Sequence, residues 1–397
     1  MLGRSISPTL IYLDDISNSV GLYIQFNINQ RDQMNRKMII AVLVVLAMVA
    51  VGTIAVLAIN PSGGEDEGPV SVIDADGRLV VTKEAPARLV SCSPSLTEIV
   101  YALGIGDRLV AVTDYCDWPA DVGDRKTDGS LVSIGGYWTP SVEAIIAAGG
   151  DLVLLDKGVQ AQMDMLSQLE GSAQKVIILD KGATFEEVYS TIELLGEVCW
   201  VKDEAEDLVA SMQGRLANIE EAIADVDEPP SLVFAVWLEP IYLSAGDTFV
   251  QDVMDYSKGE NSYGNMTGGW PDVAVESLLE KDPDYLIVSM MYLPNPGEQI
   301  ISDLENDTIW SELSAVQNGR VYIMTGQADN VFCRPGPRMV DAVEIMAKIL
   351  HPDVFGEDMP HVISNDYVDL LSAGSGSHVE SLESALNLGQ VMMARIE

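Results

Sequence analysis

The chain has 397 residues, enough for more than one domain, and its 48% hydrophobic content excludes a largely disordered protein. Its 61 acidic against 22 basic residues leave a formal net charge of -39, which argues against nucleic acid as a partner because phosphate binding needs clustered Lys and Arg. The four cysteines (Cys92, Cys116, Cys199, Cys333) match no zinc spacing, and the three histidines (His351, His361, His378) all fall near the C-terminal end, so a core metal site built from several histidines is excluded.

Residues 1–37 form a mixed N-terminal segment to which no role is assigned; Met34, opening the basic MNRK, is an alternative start. Residues 38–59 carry no charge and are long enough to span a bilayer. Arg31, Arg36 and Lys37 precede the run and no basic residue follows it closely, which puts the N-terminus in the cytoplasm and the rest of the chain outside. A transmembrane anchor is preferred to a cleaved signal, because the run exceeds a usual signal core. Residues 60–71 then read as a flexible acidic linker.

The stretch VSVIDADGRLVV reads as a hairpin turning at Asp76-Gly77. A strand at Leu89–Ser91 breaks at Pro94, and Ser95-Leu96-Thr97-Glu98 reads as a capping box that opens a helix running to Gly104. A strand at Leu109–Val112 enters the aromatic TDYCDWP, and another is expected at Lys175–Leu179. From Thr184 to about Ala224 the apolar residues recur at helical spacing, as one helix or as two broken between Gly196 and Lys202. Beyond Pro229-Pro230 come a strand at Leu232–Leu238, a helix near Thr248–Tyr256, a helix at Asp307–Val316, a strand at Arg320–Met324 and a helix from about Pro337 to Leu350. SAGSGS at 372–377 reads as a linker before a weakly amphipathic end.

One stretch occurs twice. YWTPSVEAIIAAGGDLVLL (137–155) and WPDVAVESLLEKDPDYLIV (270–288) align without a gap, pairing Tyr137 with Trp270, Thr139 with Asp272, Glu143 with Glu276 and Asp151 with Asp284. Each copy reads as an aromatic residue, a capping Thr or Asp, a short helix with a Glu in its first turn, and a short apolar strand covered on both faces. Two similar α/β lobes are therefore expected.

These segments, taken with RLVSCSPSLTEIVYALGIGDRLVAVTDYCDWP, KGENSY, WSELSAVQNGRVYIM and RPGPRMVDAVEIMAKILHP, resemble the substrate-binding proteins of ABC importers for cobalamin and ferric siderophores. The resemblance covers roughly residues 72–352. It implies two α/β lobes with short, mainly parallel sheets flanked by helices, joined by a long connecting helix, with a ligand cleft between them. The lobes would be 72–183 and 229–352, the connector 184–228, and 353–397 a C-terminal extension. A rigid connector implies small lobe movement on binding.

The resemblance implies that Glu143 and Glu276 dock on the membrane subunits of a permease that works with an ATPase. The plain alternative is a glutamate that complements its helix dipole. It implies ligand contacts at Ser93, Pro94, Ser95 and Thr97 and at Tyr115, Tyr137 and Trp270, with Trp138, Trp237 and Tyr263 as further candidates; rigid aromatics suit a large flat ligand. Arg334 is a candidate for an anionic ligand, whereas Arg338 reads as a structural, salt-bridged arginine. The ligand implied first is cobalamin or a related corrinoid, then a ferric siderophore, then haem with Tyr115 as an axial ligand. Neither a cofactor nor covalent chemistry is implied, and the absence of G-x-S-x-G, P-loop and G-x-G-x-x-G motifs argues against an enzyme. A membrane-tethered sensor ectodomain would use the same cleft without the paired glutamates. The expected protein is a monomer held at the cell membrane by its N-terminal helix, with Cys92 and Cys116 either bonded or a pair of buried thiols.

Overall fold

The computed structural model describes residues 68–290, 296–356 and 358–371. The N-terminal segment 1–37, the expected span 38–59, residues 60–67 of the linker and the tail beyond residue 371 lie outside the described residues, and the last two positions of the expected linker 60–71 belong to the first strand. Among the described residues no helix is long and apolar enough to cross a membrane.

The opening hairpin joins β1 (Val70–Ile73) to β2 (Leu79–Thr82), and its turn is closed by the Asp74 carboxylate, which accepts from the amides of Asp76 at 3.1 Å and Arg78 at 2.8 Å. The first sheet contains β3 (Leu89–Ser91), β4 (Leu109–Val112), β5 (Val132–Ser133), β6 (Leu152–Asp156) and β7 (Val176–Leu179). All are parallel, in the order β5-β4-β3-β6-β7. The second sheet is built on parallel β8 (Ser231–Leu238), β12 (Tyr285–Ser289), β13 (Val321–Met324) and β14 (Val362–Ile363). It is extended antiparallel by β9 (Ile241–Leu243) and β11 (Asp272–Val273), and β10 (Glu260–Asn261) lies beside the start of β8. Strands β6 and β12 are buried along their whole length, as continuous apolar runs require when helices cover both faces.

The repeat is structural. α2 (Val142–Ala148), which follows α1 (Pro94–Ala102), leads into β6 as its counterpart Val275–Lys281 leads into β12. Both helices end in a left-handed residue, Gly149 at φ 65° and Asp282 at φ 42°. The paired aspartates also do the same work. Asp151 accepts from the amides of Ala87 (2.8 Å) and Arg88 (3.0 Å) just before β3, and Asp284 from the amide of Ser231 (3.0 Å) at the start of β8. Each thereby ties the entrance of one sheet strand to its neighbour.

The caps differ from expectation. α2 is capped by Ser141, whose Oγ accepts from the Ala144 amide at 3.1 Å, because Pro140 is held outside the helix in a bridge to Gly135; Thr139 caps nothing there. In the second copy the N-cap is Ala274, and Asp272 is drawn into β11 opposite Tyr242. α1 starts at Pro94 rather than inside a capping box, and Glu98 is turned away to meet two arginines. The helix expected at Asp307–Val316 is replaced by a 3₁₀ turn at Trp310–Glu312 and one turn at Ser314–Gln317, preceded by a helix at Gly297–Asn306, because Asp307 accepts from the amides of Ile309 and Trp310 and restarts the chain there.

The connecting segment is two helices, α3 (Phe185–Val198) and α4 (Lys202–Ala222), broken at Trp200, which takes a left-handed φ of 63°. At 1.5 Å per residue α4 is about 30 Å long, the scale of a small domain. Its Leu208, Met212, Leu216 and Ile219 belong to one continuous hydrophobic cluster that runs from Leu89 and Ile99 in the first lobe to Leu232, Phe332 and Tyr367 in the second. The lobes thus share a core instead of hanging on a hinge.

Two further helices complete the frame: α5 (Gly326–Cys333) follows β13, and α6 (Met339–Leu350) is buried throughout and pairs its Asp341 with Arg215 of α4 at 2.7 Å.

Candidate ligand-binding cleft

In a parallel sheet the loops that leave the carboxyl ends of the strands gather on one edge, and there side chains can converge on a ligand. The loops after β3, β4, β5 and β7 from the first lobe and after β12, β13 and β14 from the second meet around two adjoining cavities. The larger, about 640 Å³, is lined on one side by Asp114, Tyr115 and Asp117 and on the other by Met290, Gln327, Asp329, Asn330 and Asn365. The smaller, about 100 Å³, is walled by Pro94, Ser95, Tyr137, Trp138 and Lys181, with Cys333 opposite. Tyr115, Asp329, Asn330 and Arg334 border both.

The aromatic wall is braced from behind. The Tyr137 hydroxyl donates to Asp156 at 2.7 Å, and the Lys181 ammonium lies 2.8 Å from that hydroxyl and 3.7 Å from Asp156. Burial, reinforced by the Asp156 charge and hydrogen bond, pushes the Tyr137 phenol well above its usual range, so it stays a neutral donor. The Tyr137 ring meets Trp138 edge-on at 4.6 Å, leaving Trp138 56% exposed, while Tyr115 is 41% exposed. At the start of α1 only Pro94 and Ser95 reach the cavity. Ser93 Oγ lies 3.4 Å from Asp156, and Thr97, fully buried, donates to Ser91 at 2.9 Å, so both support the cleft from below.

The two arginines join the lobes. Arg338 holds Glu98 of α1 in a buried bidentate pair, Nε to Oε2 at 2.8 Å and Nη2 to Oε1 at 2.6 Å, and its guanidinium lies 4.4 Å from the centre of the Trp118 ring. Arg334 bridges Glu98 (3.1 Å) and Asp117 (2.6 Å) and donates to the carbonyl of Tyr115 at 3.2 Å. Arg338 is thus the structural arginine expected, and Arg334 both lines the cleft and ties it together. Beside it Asp329 accepts from the Ser289 hydroxyl and, at 3.7 Å, from the Cys333 thiol, and burial pushes its carboxyl above the ordinary range.

Other candidates fall elsewhere. Trp237 and Trp270 line neither cavity; with Tyr242 they are exposed on the β8–β9–β11 edge of the second sheet, where Trp237 donates to the Glu239 carbonyl at 2.8 Å. Tyr263 is buried with its hydroxyl 3.1 Å from Ser277. Glu143 and Glu276 stand exposed in equivalent first turns, one on each lobe, and Ser141 donates to Glu143 at 3.2 Å. All four cysteines are free; Cys92 is buried and Cys116 lies 3.2 Å from both Thr97 and Thr113. Among the described residues no group of His, Cys, Asp or Glu is placed to hold a metal ion.

Asp117, Asp156, Lys181, Asp329, Asn330, Gln327 and Asn365 are not singled out by pattern, and Glu98 is marked only as part of a capping box. One signal was available: an apolar strand ending in a charge, LVLLD, marks a carboxylate at the ligand edge of a sheet.

Residues 89–328 match the family model described as periplasmic binding protein. The chain is 31% identical over 293 residues to an uncharacterized ABC transporter substrate-binding lipoprotein of Bacillus subtilis, covering 73% of this chain and 88% of that one. It is 28% identical over 268 residues to a vitamin B12-binding protein of Photorhabdus laumondii, covering 67% of this chain and 89% of that protein. Among solved structures it is similar to the periplasmic vitamin B12 binding protein of Vibrio cholerae, with a TM-score of 0.55, 26% identity and coverage of 68% and 99%. A periplasmic heme binding protein from Pseudomonas aeruginosa shares the fold, with a TM-score of 0.59, 21% identity and coverage of 67% and 93%.

Proposed function

The chain belongs to the periplasmic binding protein family, and from that premise we propose that it is the extracytoplasmic substrate-binding subunit of an ABC importer that captures cobalamin or a related corrinoid and delivers it to a permease and its ATPase. The observation that carries the reading is the cleft itself, where Tyr115, Tyr137 and Trp138 face the amides and carboxylates of the second lobe. A large macrocycle needs rigid aromatic area at small entropic cost, and its peripheral amide arms need partners for both their N–H and C=O groups. Relatives named for vitamin B12 binding support the choice of ligand.

In this reading Pro94, Ser95, Tyr115, Tyr137, Trp138 and Arg334 touch the ligand, Ser93 and Thr97 hold the helix start beneath it, and Trp237 and Trp270 meet the part of a large ligand that projects beyond the cavities. Glu143 and Glu276 dock on the two halves of the permease. The protein is tethered at the outer face of the membrane, as the lipoprotein name of the Bacillus subtilis relative suggests, with residues 38–59 as the tether. The role is binding, with no covalent step.

A second reading, a haem or ferric siderophore, is favoured by one observation: the Tyr115 side chain borders both cavities and is exposed enough to offer a phenol oxygen to iron. Calorimetric titration with cyanocobalamin, ferric siderophores and haem tests both readings. Tight one-to-one cyanocobalamin binding that weakens in Trp138→Ala supports the first. Haem or siderophore binding without any corrinoid binding keeps the importer and changes its cargo.

A further inference from the structure

Resting on the corrinoid reading, we propose that the cleft sorts corrinoids by the charge of their side arms, holding those whose arms are neutral carboxamides and rejecting those whose arms are carboxylates. The larger cavity presents three carboxylates (Asp114, Asp117, Asp329) and three carboxamides (Gln327, Asn330, Asn365). The two cations bordering the cavities are already matched. Arg334 is ion-paired through Nη1 with Glu98 and Asp117 and donates from Nη2 to the Tyr115 carbonyl, and Lys181 is engaged by Tyr137 and Asp156. Arg338, beneath them, is matched by Glu98, and Lys126, behind the Tyr115 loop, donates to the carbonyls of Asp114 and Cys116.

Two of the carboxylates are not balanced by an ion pair. Asp114 takes its hydrogen bond from the Ser133 hydroxyl and Asp329 from the Ser289 hydroxyl and Cys333 thiol, all neutral donors. An arm ending in a carboxylate would approach these like charges while both cations that border the cavities are already ion-paired; Lys126, held by neutral carbonyls, borders neither cavity. A carboxamide arm meets no such penalty: its N–H groups suit the aspartates, and its carbonyl suits the amide donor of Asn365 and the second N–H of Asn330, whose Nδ2 also donates to Asp117 at 3.3 Å. The Asn365 orientation is set by its Oδ1, which accepts from the Gln327 amide at 2.9 Å, so its NH2 group is the part left for a ligand.

The test compares three ligands on the purified full chain in detergent: cyanocobalamin, dicyanocobinamide, whose arms are carboxamides, and dicyanocobyrinic acid, whose arms are carboxylates. Dicyanocobinamide is expected to bind at least about a hundred-fold more tightly than dicyanocobyrinic acid at pH 7 and low salt, with the gap closing to about ten-fold in 1 M NaCl as the charges are screened. The double variant Asp114→Asn, Asp329→Asn is expected to narrow the gap without salt. Equal affinity for the amide and carboxylate corrinoids, or a gap that neither salt nor the double variant changes, overturns the charge sorting while leaving corrinoid binding in place. Failure of all three ligands to bind overturns the corrinoid reading and the sorting with it.

Discussion

The pair between Glu98 and Arg338 crosses from one lobe to the other and is almost completely removed from water, with side-chain exposures of 3% and 6%. Removing one partner of a buried ion pair costs about 3–5 kcal/mol, because the other charge is left desolvated and unmatched. In Arg338→Ala the Glu98 carboxylate would keep only Arg334, at 3.1 Å, so the loss belongs at the lower end, about 3 kcal/mol. For a domain of this size that is a fall in Tm of roughly 5–10 °C, readable by scanning calorimetry. Glu98→Gln should lose a similar amount, since it leaves the Arg338 guanidinium against Trp118 without its counter-charge. Replacing both partners by apolar residues, Glu98→Leu with Arg338→Met, removes both desolvation costs and should recover stability to within about 1 kcal/mol of the native protein. A fall below about 2 °C in Arg338→Ala, or a double variant that loses the sum of the two singles, refutes the view that this pair is a matched and mutually dependent clamp.

Replacing both Glu143 and Glu276 by Ala should leave ligand affinity within about two-fold, since both stand outside the cleft, and abolish uptake by the assembled importer; uptake at the native rate would sink the docking role. Tyr115→Ala should lose about ten- to hundred-fold in affinity by removing half-exposed aromatic surface from the cleft wall. Tyr115→Phe separates the ligand readings: it should spare corrinoid binding and should abolish a phenolate–iron bond if the cargo is haem. The raised carboxyl of Asp329 means that the folded state holds this proton more tightly than the unfolded chain, whose value is about 4. Stability therefore falls as pH rises from about 4 through the raised folded value, and the penalty persists at pH 7. Asp329→Asn keeps the acceptor for Ser289 and removes the penalty, so it should melt higher than the native protein at pH 7 and alike below about pH 4; a lower melting point at pH 7 would contradict the burial argument.

Much of the fold was legible because it rests on local pattern. The two copies of the aromatic–helix–strand unit announced two lobes, and the structure repeats the helices Val142–Ala148 and Val275–Lys281, the strands after them and the bracing aspartates Asp151 and Asp284. Where reading failed, a stronger local competitor had won. Thr139 has the right chemistry for a cap, but Pro140 beside it is drawn into a bridge to Gly135 and the helix waits for Ser141. Asp272 likewise is a good cap by type, but its backbone completes a strand with Tyr242. Helix ends depend on about 1 kcal/mol of capping, less than a short stretch of sheet pairing can supply, so they are the first thing that tertiary structure rewrites.

The cleft divides differently, along the line between surface that a residue carries with it and charge that only a neighbour can complete. Tyr115, Tyr137 and Trp270 stand out singly as aromatics in loops beside Pro and Gly, and of these the first two border the cavities while Trp270 lines neither. Glu98 does not stand out. Its spacing from Ser95 is that of a capping box, and nothing near it in sequence indicates that its partners lie at Arg334 and Arg338, beyond the connector and all of the second sheet but β14. The same holds for Asp156, whose meaning depends on Lys181 and Tyr137 arriving from two other loops. A buried charge is tolerated only where an opposite charge or donor has been delivered to it, and delivery is a property of the completed fold. The apolar half of the site is therefore written locally and the polar half topologically, and it is the polar half, with its matched cations and unmatched aspartates, that bears on which ligand the cleft accepts.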